Sequence, residues 1–388
     1  MNRLHDTMAA HVQRGDSAGL VTLVRVGGRD QIDAIGRLAI DQPAPMRADT
    51  LFRISSMTKP ITAVAALIMV EEGKLRLDVP VDEWLPELAH RRVLRRLDAP
   101  IDDTVPAARP IQVRDLLTFC MGFGQLMAPP DAYPILKAAH ALKIGMGPPA
   151  PSEMPAPDEW LARLGSLPLM HQPGERWMYN TGSDVLGVLI ARASGRSFPD
   201  FLHERLFEPL GMKDTGFSVS PEKIARLAPS YWTNFATGAL EVYDPAAGGQ
   251  WSRPPLFPSG AGGLVSTAQD YAAFAQMLLD RGVRGNARIL SAASVAAMTT
   301  DQLTSSQKLG AGLVPGYFDH HGWGFGVSVV TSGDDPAEPI GSYGWDGGLG
   351  TSFRNDPKDQ RTILLMTQRA WTSPSAPQIC RDFWALAR

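Results

Sequence analysis

Only two cysteines, Cys120 and Cys380, occur in the 388 residues of the chain. Two thiols cannot build a stapling framework, so both are expected free, in a reducing compartment. Long apolar runs are missing as well. The longest, ITAVAALIMV at residues 61–70, is too short to span a bilayer. Residues 1–19, MNRLHDTMAAHVQRGDSAG, contain no continuous apolar stretch of the kind a secretory leader needs. A cytoplasmic protein without a membrane partner is expected. Charge of one sign is not in excess, with 37 basic and 40 acidic residues and a formal net charge of −3. That balance argues against nucleic acid as a partner. No phosphate-cradling G-x-x-x-x-G-K or G-x-G-x-x-G pattern occurs. His320-His321 and the other histidines lack H-E-x-x-H or Cys/His spacing, so neither a cofactor nor a metal is expected. His171, in HQPGERW, reads as a structural or rim residue.

The chain has 32 prolines and 37 glycines, which predicts many turns and ordered loops. Leu4, Met8 and Val12 recur at helical spacing in RLHDTMAAHVQRG. GLVTLVRVGG and DQIDAIGRL then read as a hairpin about a Gly-Gly-Arg-Asp turn. Residues 56–72 read as a strongly apolar helix. Helices are also expected at IQVRDLLTF, at 178–196 with Gly195 as its stop, at SFPDFLHERLFEPLGM and at STAQDYAAFAQMLLDRG. HGWGFGVSVVT, YGWDGGLGTSFRND and RTILLMTQ read as antiparallel strands, and CRDFWALA as a closing helix. Residues 125–158, rich in proline and methionine, read as a surface loop or as the wall of a pocket.

Strands and a helix first, helices in the middle, strands and a helix last: this order predicts an α+β fold. One antiparallel sheet is built from both chain ends and flanked by helices, with a mainly helical domain inserted. The expected division is 1–75 with 235–388 for the α/β sandwich, and 76–234 for the helical domain.

Two serine signatures compete. Residues 15–19, GDSAG, match G-x-S-x-G, whose serine must sit between a strand and a following helix. Here a helix precedes and a strand follows. Gly15 reads as a helix stop, and Ser17 as part of a turn. The second signature, S-x-x-K, occurs at Ser56–Lys59, Ser220–Lys223 and Ser305–Lys308. Ser220, before Pro221, reads as a helix N-cap. Ser305 lies in a polar, solvated segment. Ser56 and Lys59 share one face at the start of a helix apolar nearly all round, hence buried. Pro60 falls near the first turn, where it is tolerated. A serine hydroxyl needs a base to become a nucleophile, and a buried lysine amine can be one. The bland alternative is a capping serine beside a lysine stretched to solvent.

LFRISSMTKPITAVAALIMVEEGKLRLDVPVDEWLPEL resembles the first active-site block of the serine β-lactamase and penicillin-recognising superfamily. The resemblance is to class C β-lactamases and the related family VIII carboxylesterases. It continues through IQVRDLLTF, HQPGERWMYNTGSDVLGVLIARASG, LFEPLGMKDTGF, SGAGGLVSTAQDYAAFAQMLL and YGWDGGLGTSFRNDP. These blocks keep the family's order from about residue 45 to 368. The resemblance implies Ser56 as the acylated serine, Lys59 as its partner and Tyr179 as the tyrosine of the second motif. Thr181 stands where that motif has asparagine in β-lactamases. Trp345-Asp346-Gly347 stands where the third motif has K-T-G, similar to the W-G-G of the esterases. The backbone N–H groups of Ser56 and Gly348 are implied as the oxyanion hole, and Asp346 is unusual at its position. The implied function is hydrolysis of small or short-chain acyl esters through a Ser56 acyl-enzyme, with Lys59 and Tyr179 sharing the proton transfers. The small-molecule ester is the only partner implied, and the oligomeric state stays open. Two alternatives stand beside it: a β-lactamase, D-amino-acid peptidase or acyltransferase on the same site, and a catalytically silent binding protein.

Overall fold

The computed structural model describes residues 2–388. An eight-stranded antiparallel sheet is its spine. Its strands are β1 (Gly19–Val26), β2 (Arg29–Ala39), β3 (Gln42–Pro45), β4 (His321–Trp323), β5 (Ser328–Val330), β6 (Tyr343–Gly347), β7 (Thr351–Asp356) and β8 (Arg361–Thr367). The spatial order is β4-β5-β6-β7-β8-β1-β2-β3. The chain ends meet in the middle, where β1 pairs with β8 from Leu20 opposite Thr367 to Val26 opposite Arg361. The expected α+β fold, with one sheet from both ends, is observed.

The two-residue period of the strands assigns each side chain to a layer. Leu20 and Val24 of β1, with Ile363 and Leu365 of β8, join Met8 of α1 (Asn2–Gln13) and Phe383 and Trp384 of α5 (Gln378–Leu386). Val21, Leu23, Leu364 and Met366 point the other way, into the main core with α2 (Thr58–Glu71) and α4 (Ala268–Leu279). Both faces are therefore buried, which explains why GLVTLVRV is nearly unbroken in apolar residues. Each aliphatic side chain so buried contributes about 1.5–3 kcal/mol relative to exposure.

The helical expectations hold with local corrections. Apolar burial surrounds α2, from Thr58 to Met69. Pro60 is its third residue, where no N–H is needed inside the helix. The helix expected from residue 178 begins later, as α3 (Thr181–Ser194). Asn180 adopts φ +84° and breaks the approach to it. SFPDFLHERLFEPLGM is not one helix. It runs as Phe198–Leu202, a π-helical His203–Phe207 and Glu208–Leu210. Pro209 cannot donate to the carbonyl four residues back, and the wider π turn absorbs the mismatch. Residues 125–158 are not all loop, since Pro134–Ala141 is a helix. Two hairpins, Arg92–Leu94 with Thr104–Pro106 and Ser230–Thr233 with Leu240–Asp244, lie in segments without clear strand patterning. No helix among the described residues is long and apolar enough to cross a membrane.

Candidate active site

Ser56 lies in a single 3-10 turn, Ser55–Met57, that feeds directly into α2. Ser55, buried, takes φ +46°. Asn180, next to Tyr179, is also left-handed. Non-glycine residues held there are strained and gather at functional sites. Both strained positions adjoin residues singled out from the sequence.

Lys59 is completely buried. Its Nζ lies 2.9 Å from Ser56 Oγ and donates to the Ala261 carbonyl at 2.7 Å. The same amine sits 4.4 Å from the centroid of the Tyr179 ring. Burial disfavours the ammonium and brings the Lys59 pKa down to about 7, with Asp184 pulling in the opposite direction. Tyr179 is buried too. Loss of solvent raises its pKa well above that of a free phenol, with Ser56 and the Trp345 indole offsetting part of the effect. The Trp345 indole N–H donates to Tyr179 Oη at 2.8 Å. Phe119, Trp177 and Trp323 pack around the Tyr179 ring at 5.7–6.4 Å between centroids and fix its plane.

The end of β6 closes the site. A side chain on Gly347 would meet the Ile54 carbonyl oxygen at 2.3 Å and Thr351 Oγ1 at 2.2 Å. Only glycine lets β6 run this close to the turn carrying Ser56. Gly348 follows, exposed, and its N–H has no acceptor among the described residues. The Ser56 N–H lies in the first turn of its short helix, where backbone donors lack internal partners. Neither N–H is used in a backbone hydrogen bond among the described residues.

The other expected residues fall elsewhere. Asp346 alternates with Trp345 on β6 and faces the opposite side of the sheet. There Arg354 of β7 holds it with two hydrogen bonds, at 2.7 and 2.9 Å, while Arg354 also stacks 4.4 Å over Trp384 of α5. The structure therefore does not bring Asp346 to Ser56. Thr181 is buried at the first position of α3 and makes no hydrogen bond to Ser56 or Lys59. His171 lines a surface cleft with Leu94, Arg96 and Glu175. Ser17 is buried in the turn between α1 and β1, donating to the Gly19 carbonyl at 2.8 Å. Ser220 caps no helix: a turn and the 3-10 segment Ile224–Arg226 follow it, and its hydroxyl donates to Glu222. Ser305–Lys308 is a four-residue helix capped by Thr304, and Lys308 pairs with Asp301. Cys120 and Cys380 are free and buried. Among the described residues no group of three or more His, Cys, Asp or Glu side chains is arranged to hold a metal ion.

Several neighbours of the site escaped the sequence reading. Asp184 of α3 is buried and accepts from Ser259 Oγ at 2.6 Å and from the Ala261 N–H at 3.1 Å. A lone carboxylate inside the apolar run of TGSDVLGVLIA is the signal that could have revealed it. The 125–158 stretch reaches the site at two points. Gln125 donates its N–H to the Tyr179 carbonyl at 2.8 Å, and Pro149 and Ser55 flank Gly262. Tyr243 Oη donates to the Pro149 carbonyl at 2.8 Å and anchors that rim.

The family described as Beta-lactamase matches residues 4–379. The chain belongs to that family and is a serine hydrolase of its fold. It is 39% identical to Protein Rv1367c of Mycobacterium tuberculosis over 350 residues, covering 87% of this chain and 82% of that protein. It is 32% identical to Esterase EstB of Burkholderia gladioli over 356 residues, covering 86% of this chain and 81% of EstB. Among solved structures it resembles EstCE1, described as a hydrolase with promiscuous acyltransferase activity. That match has a TM-score of 0.80 and 26% identity, and covers 99% of this chain and 98% of EstCE1.

Proposed function

We propose that the protein is a carboxylesterase of small or short-chain acyl esters, working through an acyl-enzyme on Ser56. The observation that carries this reading is a fully buried lysine amine 2.9 Å from a serine hydroxyl at the mouth of α2. With a pKa near 7, an appreciable fraction of Lys59 is neutral at neutral pH. Neutral Lys59 takes the hydroxyl proton as Ser56 Oγ attacks the ester carbonyl. The oxyanion forms against the Ser56 and Gly348 N–H groups, each worth roughly 3 kcal/mol in the transition state. Tyr179 gives its proton to the departing alkoxide and is restored from Lys59. A phenol whose pKa is raised by burial is a poor base and holds its proton until the leaving group needs it. The Trp345 N–H then steadies the developing phenolate. Water, activated in the same way, releases the acid. An alcohol in place of water gives acyl transfer, in keeping with the description of EstCE1.

In the same reading the site lies at the seam of a 1–75 plus 235–388 sandwich and a 76–234 helical domain. The compartment is reducing and cytoplasmic. β-Lactam hydrolysis is less well supported, because the third-motif position holds Asp346, paired away with Arg354, and no lysine. Intact-mass analysis after a fluorophosphonate probe, with peptide mapping, tests the assignment. One adduct on the peptide containing SSMTK is expected. No adduct favours the silent binding protein, and nitrocefin turnover without ester turnover reverses the substrate class.

A further inference from the structure

Lys59 and Asp184 are a buried base and a buried acid that make no direct hydrogen bond to each other. The Lys59 amine spends its hydrogen bonds on Ser56 and on the Ala261 carbonyl. The Asp184 carboxylate spends its own on Ser259 and on the Ala261 N–H. One residue, Ala261, separates them and is gripped from both sides. The turn around it is tightly seated. Thr62 Oγ1 donates to the Gly260 carbonyl at 2.8 Å, and a side chain on Gly260 would strike the Ser183 carbonyl oxygen at 2.4 Å. A direct ion pair would hold Lys59 as an ammonium and leave Ser56 without a base. Complete removal of the carboxylate would leave the amine unopposed in an apolar pocket.

We propose that Asp184 is a positioning residue for the Ser56–Lys59 pair: it fixes the Ser259–Gly262 turn that holds the lysine amine, and its charge, held one residue away, sets how readily that amine keeps a proton. The proposal rests on the Ser56–Lys59 reading given above. The remaining titratable groups packed against the pair are phenols. Tyr179 adjoins α3, and Tyr271 of α4 donates to the Met57 carbonyl at 2.9 Å. Burial keeps both neutral. Asp184 is therefore the acidic partner whose charge Lys59 feels; burial pushes its carboxyl pKa up, and the Ser259 hydroxyl, the Ala261 N–H and Lys59 itself work against that rise. A nearby carboxylate favours the ammonium, so its loss lets Lys59 give up its proton at lower pH.

The test is the pH dependence of fluorophosphonate labelling of Ser56 in the full-length wild type, Asp184→Asn, Ser259→Ala and Lys59→Met. Asp184→Asn keeps an acceptor oxygen for Ser259 and for the Ala261 N–H but removes the charge. The wild-type labelling rate is expected to rise through a midpoint of about 7. In Asp184→Asn that midpoint moves toward acid by about one pH unit or more. A role limited to holding the turn changes the rate and leaves the midpoint in place, and an unmoved midpoint in folded Asp184→Asn overturns the proposal. If circular dichroism shows that Asp184→Asn does not fold, Ser259→Ala decides. It withdraws a hydroxyl that stabilises the carboxylate, so a smaller shift in the same direction is expected, and none overturns the proposal. Failure to label wild-type Ser56, or an unchanged pH profile in Lys59→Met, is a different failure. It removes the Ser56–Lys59 reading itself, and the role of Asp184 falls with it.

Discussion

Ser56–Lys59 and Ser305–Lys308 have the same spacing and opposite surroundings. At the first, the lysine is sealed in the core, its amine meets the serine hydroxyl, and its pKa falls to about 7. At the second, a four-residue helix lies at the surface and the lysine turns to Asp301. The spacing puts both residues on one face in each case. Burial is what separates the two pairs, because only the buried amine is pressed to shed its charge.

The sharpest way to break this comparison is to exchange the serines. Ser56→Ala is expected to abolish p-nitrophenyl ester hydrolysis, while Ser305→Ala and Ser17→Ala keep wild-type rates. The lysines follow. Lys59→Met is expected to lower kcat by about 10²–10⁴, the range for loss of a positioned proton-transfer group. Lys308→Met should leave kcat unchanged and cost about 1 kcal/mol or less in a denaturant titration, as for partly exposed ion pairs. The Lys59 pKa adds a pH arm. The base is neutral above its pKa, so kcat/KM should fall as pH drops through about 7, with no matching limb from Lys308. Among substitutions around Ser56, the smallest loss belongs to Trp345→Phe. It removes one hydrogen bond to a developing phenolate, worth about 1.5–3 kcal/mol, so kcat should fall about tenfold to a hundredfold with KM little changed. Equal losses in KM and kcat would instead give Trp345 a substrate-binding role.

Much of the fold was legible because the strongest patterns were also the deepest in the core. The nearly unbroken β1, the mostly apolar α2 and the Gly-stopped α3 each carry a single message of local propensity and burial. The short hairpins at Arg92–Pro106 and Ser230–Asp244 carry almost none, because tertiary packing rather than side-chain alternation makes them strands. The candidate site was legible where residues sit close in sequence or in recurring blocks, as with Ser56, Lys59, Tyr179 and Trp345. Asp346 shows the limit. A one-residue step along β6 sends it to the far face of the sheet, and no motif announces which side a strand residue takes. Asp184 shows the reverse. Its importance comes from Ser259 and Ala261, more than seventy residues away, and distant partners leave no local pattern.

The pairing of β1 with β8 has a consequence for synthesis on the ribosome. Ser56 and Lys59 emerge early, but Trp345 of β6 and Gly348 just after it arrive near the end. The strand that seats β1 arrives later still, with Leu20 waiting for Thr367. Non-local closure of this kind is slow to form. The nascent chain therefore carries Ser56 and Lys59 without the strands that surround them in the fold for most of its elongation. A chain cut short before residue 361 would hold Ser56 and Lys59 but leave β1 without its partner strand.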